Sequence, residues 1–93
     1  MEEKFVLAWE QARKEAEKLG VRMRPVERQK ALDSARRMLS GSRDSDGFGS
    51  LQKIGRLDLS LEALAVKKAY TALFSDEAVN NALMRLLDAG YKF

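Results

Sequence analysis

Neither cysteine nor histidine occurs in the 93 residues. Without cysteine, disulfide frameworks, thiolate zinc sites and cysteine nucleophiles are excluded. Without histidine, the usual general base near neutral pH and the commonest metal ligand are missing. Catalysis would fall to carboxylates, lysines, tyrosines and serines, so the chain reads as non-enzymatic, with no cofactor and no small-molecule substrate. Long apolar runs are lacking too. A stretch such as residues 63–66 is far too short to span a bilayer. The start, MEEKFVLAWEQ, has no basic n-region and no long apolar core, so the expectation is no signal peptide, no membrane partner and a cytoplasmic location.

What is present is a globular composition, 45% apolar and 33% charged. This length makes one domain, residues 1–93, with a single modest core. Net charge is +3. Residues 1–56 carry 13 basic and 9 acidic side chains, and residues 57–93 carry 4 and 5, so the excess lies in the N-terminal part. It is too mild to demand a polyanion partner by itself.

The apolar spacing predicts an all-α fold. Phe5, Trp9, Ala12, Ala16 and Leu19 recur at three and four, giving a helix over 3–19 that Gly20 ends, with Val21 folding back toward Ala16. Glu10 and Lys14 are placed to pair on it. Pro25 opens a second helix over 25–40, with Leu32, Ala35, Met38 and Leu39 inward. Residues 41–50 hold three of the six glycines and read as a loop, followed by a short turn over 51–55. Ser60 caps a third helix over 61–73, apolar almost all round and therefore central. Ser75 caps a fourth over 76–89, with Val79, Ala82, Leu83, Leu86 and Leu87 as its apolar face. The sum is a small four- to five-helix bundle made of two helical hairpins joined by a Gly/Ser/Asp-rich loop.

That loop, DSDGFGS at 44–50, raises the question of calcium. With Gly47 at the sixth position of an EF-hand loop, Ser42, Asp44 and Asp46 fall at the first, third and fifth. The twelfth position, where a bidentate Glu belongs, is Lys53. The reading is therefore a solvated polar hinge without metal. Phe48, an aromatic between two glycines, is its one residue of functional interest, as a core anchor or as a contact for a partner.

Basic residues are dense at Arg22, Arg24, Arg28, Lys30, Arg36, Arg37 and Arg43. Stepped around a helix they do not share one face, and Asp33 is placed to pair with Arg36 and Arg37, as on a salt-bridged exposed surface. The segment VNNALMRLLDAGY resembles the recognition helix of a winged helix-turn-helix protein. That resemblance implies DNA contact through Asn80, Asn81, Met84 and Arg85, since Asn can bond adenine and Arg guanine bidentately. Asp76 and Glu77 put negative charge where phosphate would approach.

The leading expectation is a non-enzymatic interaction or regulatory module that binds a protein partner or itself as a homodimer. Phe5, Trp9, Phe48, Tyr91 and Phe93 are its contact candidates, because aromatics carry interface energy disproportionately. The alternative is a DNA-binding regulator that uses a helix-turn-helix-like C-terminal pair, with Arg22, Arg24, Arg28, Asn80, Asn81 and Arg85 on nucleic acid.

Overall fold

Helix α1 runs from Glu2 to Lys18, and the stripe of Phe5, Trp9, Ala12 and Ala16 faces inward. The structure is a computed structural model that describes residues 2–23, 27–41, 44–45 and 47–91. Gly20, at φ 89°, ends the helix as expected. The Val21 N–H donates to Ala16 O at 2.9 Å and the Gly20 N–H to Glu17 O at 3.0 Å. These two bonds close a helix through a left-handed residue and fold Val21 back into the core.

Helix α2 spans Ala31–Ser40 and buries Ala31, Ala35 and Leu39. It begins later than position 25. Residues 28–30 form a turn, closed by Lys30 N–H donating to Glu27 O at 3.0 Å. Arg24, Pro25 and Val26 lie outside the described residues. Residues 48–50, expected in the loop, already belong to α3, Phe48–Lys53, which buries Phe48 and Leu51.

Ser60 caps α4, Leu61–Ala65, by accepting the Ala63 N–H at 3.1 Å. The same hydroxyl donates to Leu57 O at 2.6 Å, tying α4 to the 3₁₀ turn over Leu57–Leu59. The helix expected over 61–73 stops after Ala65. Beyond it Tyr70 N–H donates to Lys67 O at 2.8 Å and the segment closes in a 3₁₀ turn over Thr71–Leu73. Val66, Tyr70 and Thr71 are weak helix formers, and packing decides the outcome. The break swings Tyr70 and Phe74 onto Phe5, with ring centroids at 5.5 and 5.3 Å.

Ser75 caps α5, Asp76–Asp88, through the Ala78 N–H. Helix α5 packs on both α4 and α2, and α1 packs on α2, α4 and the turn before α4. All elements close around one apolar cluster. Among the described residues every element is helical, and the small helical bundle of the sequence reading is the fold. No helix among them is long and apolar enough to cross a membrane.

Candidate interaction surface

Glu62, in the first turn of α4, has no exposed surface. A buried carboxylate requires partners. Its Oε2 accepts the Ser45 N–H at 2.9 Å and Arg85 Nη1 at 3.2 Å, and its Oε1 accepts the Ser45 hydroxyl. Arg85 also donates from Nη1 to Met38 O at 3.2 Å and from Nη2 to Gly41 O. One turn earlier, Asn81 Nδ2 donates to Leu39 O at 2.9 Å. These carbonyls close α2, where backbone acceptors lack helical donors and the helix dipole is negative. A guanidinium on α5 therefore joins α4, the end of α2 and the following loop. Asp44, 4.0 Å from Arg85 Nε and mostly exposed, adds little.

This network accounts for two of the residues the sequence placed on DNA. Asn81 and Arg85 point inward at α2. Of the other nucleic-acid candidates, Asn80 and Arg22 are exposed. Arg28 is exposed and holds Glu10 in a two-point ion pair at 3.0 and 3.4 Å, in place of the expected Glu10–Lys14 pair. Arg24 and Arg43 lie outside the described residues. Arg36 donates to Leu73 O at 3.0 Å, and Asp33 makes no ion pair with it or with Arg37.

Three of the five aromatic contact candidates are drawn inward. Phe5, Trp9 and Phe48 are buried, and Phe5 stacks at a tilt on Trp9 with centroids 5.9 Å apart. A core of this size uses its large rings for itself. Tyr91 is half-buried against that core, and Phe93 lies outside the described residues. The polar hinge is fastened rather than free, because Ser45 is bound to Glu62 by two hydrogen bonds. Asp44 is exposed, Ser42 and Asp46 lie outside the described residues, and no group of three or more acidic side chains among the described residues could hold a metal.

Turning Asn81 and Arg85 inward has a consequence on the far side of α5. The buried side chains are Ala78, Ala82 and Leu86. Leu87, expected in the core, is 53% exposed, and Met84 is 56% exposed. They are the two most exposed large apolar side chains described and lie three residues apart, on one face. The half-buried Leu83 borders them without joining the core. Leu7, Leu19 and Ile54 are also exposed, but each less than Met84 and Leu87 and with no other exposed large apolar side chain three or four residues away.

The sequence held a sign of this arrangement. A helix that is apolar all round, as α4 is, buries any acid within it, so Glu62 needed a cation from elsewhere. Arg85 is the single arginine after residue 56. No protein-family model, no curated protein and no solved structure matches the chain.

Proposed function

We propose that the protein is a non-enzymatic interaction module that docks a protein partner on the outward face of α5, around Met84 and Leu87. The supporting observation is the pairing of these two exposed apolar side chains on a helix that turns Asn81 and Arg85 inward. Clustered exposed apolar side chains mark interaction sites, whereas scattered ones do not. The face is also rigid, because Arg85 and Asn81 fix the helix to α2 from behind. A rigid helix loses little entropy on docking.

The DNA-reading alternative has less support. Its Asn81 and Arg85 are engaged with α2 carbonyls, and Asp76 and Glu77 leave negative charge at the start of α5.

The test compares affinity capture from cells that express the protein. Wild type, Met84→Glu/Leu87→Glu and a control, Leu7→Glu, serve as baits after circular dichroism shows the same helicity for all three. The expected result is a captured protein lost with the α5 variant and kept with the control. Identical capture by all three baits would remove α5 as the docking face.

A further inference from the structure

The acids around this face indicate the chemistry of what covers it. Asp76 and Glu77 lie at one end of α5 and Asp88 at the other, all exposed, with Met84 and Leu87 between. None of the three makes an ion pair among the described residues. The basic side chain of α5 is Arg85, which is only 10% exposed and already bound to Glu62. A protein of net charge +3 thus presents an apolar patch whose own helix offers solvent only negative charge.

Asp76 and Glu77 have a local explanation, because acids at a helix start complement its dipole. Asp88 has none. An anion in the last turn opposes the dipole, and no cation among the described residues pairs with this one. Its position suits an external positive charge.

A second copy of the chain is a poor fit. Two α5 helices packed face to face would set carboxylates against carboxylates in either direction, and like charges across an interface are costly. Resting on the reading of α5 as the docking face, we infer that its occupant is a basic amphipathic helix of another protein. Apolar side chains at three- and four-residue spacing cover Met84 and Leu87, and lysines or arginines at both ends meet Glu77 and Asp88.

Two peptides of about fifteen residues test this, long enough to fold as helices on contact. Both carry leucines at helical spacing. One has flanking lysines, and the other has glutamates at the same positions. Each is titrated into the ¹⁵N-labelled full chain at low salt and again at high salt. The lysine peptide is expected to bind about tenfold tighter or better, to shift the amides of Asn80, Met84 and Leu87, and to lose its advantage in salt. Asp88→Lys should narrow the preference, and Glu77→Lys/Asp88→Lys should reverse it.

Equal binding of both peptides would overturn the charge inference and leave α5 as a docking face. If neither peptide shifts α5 while cellular capture depends on Met84 and Leu87, the partner has another chemistry and the inference fails. Sedimentation showing a dimer that Leu87→Glu dissolves would give the face to a second copy. Duplex DNA shifting the α5 amides in place of the peptide would overturn it as well.

Discussion

A single arginine carries more of this structure than any other polar residue. Arg85 neutralises a carboxylate that has no access to water and caps carbonyls that no helical donor reaches. Removing one member of a buried pair leaves the other charge uncompensated. Arg85→Ala should therefore lower unfolding stability by roughly 3–5 kcal/mol, read from the shift of the urea midpoint. A double-mutant cycle separates the pair from its surroundings. Glu62→Gln/Arg85→Met should cost clearly less than the sum of its two single changes, because the second substitution removes a group the first has already stranded. Additive costs would mean the two side chains act independently. Asn80, one residue from Asn81 yet exposed, is the internal control. Asn80→Ala should stay within about 0.5 kcal/mol of wild type in the same urea experiment.

At the scale of elements, the sequence was most legible where a local bond decides the outcome. The caps at Ser60 and Ser75 and the return of Val21 to Ala16 each need only a few neighbouring residues, and all three formed as expected. Ser60→Ala should cost about 1 kcal/mol as a lost helix cap, and more if the Leu57 carbonyl finds no other donor. Gly47 shows a local requirement of another kind. Its φ is 80°, and a Cβ there would lie 2.7 Å from Met23 Cγ. Gly47→Ala should cost about 1–3 kcal/mol, measured by thermal unfolding, through strain and crowding together.

The less legible elements are those that packing reshaped. The helix after Ser60 ends at Ala65, and the turns beyond it bring Tyr70 and Phe74 onto Phe5. The periodicity of residues 61–73 carries no sign of that long-range contact. In the same way, the apolar stripe of α5 suggested a core face through Leu83 and Leu87, while the observed face is turned toward Asn81 and Arg85. Ala78 and Ala82 permit the turn, since their small side chains let α5 come close to its neighbours. Polar attraction across the bundle fixed the rotation of the helix, and hydrophobic spacing alone could not show it.

Over the whole molecule, the inward pull on aromatics and the outward placement of Met84 and Leu87 belong to one arrangement. Phe5, Trp9 and Phe48 fill the core, so three of the five aromatic contact candidates are unavailable to a partner. The candidate surface lies where the sequence had suggested core and DNA contacts, because α5 keeps Ala82 and Leu86 in the core but turns Leu87 out and Asn81 and Arg85 in. Met84→Glu/Leu87→Glu should leave stability within about 1 kcal/mol of wild type, since neither side chain contributes much buried area. Asp88→Lys should raise stability by about 0.3–1 kcal/mol, by replacing an anion with a cation at the negative end of the helix dipole. A residue that stabilises the protein when replaced and weakens a complex at the same time would mark Asp88 as kept for binding.

Both the bracing of α5 and the face it shows to solvent depend on Arg85 facing the interior. The most direct measurement is the urea unfolding midpoint of Arg85→Ala beside wild type and Met84→Glu/Leu87→Glu. Arg85→Ala should show a large fall and the surface pair a small change. A wild-type midpoint for Arg85→Ala would contradict this, since the guanidinium would then be free in solvent and α5 would present a different face.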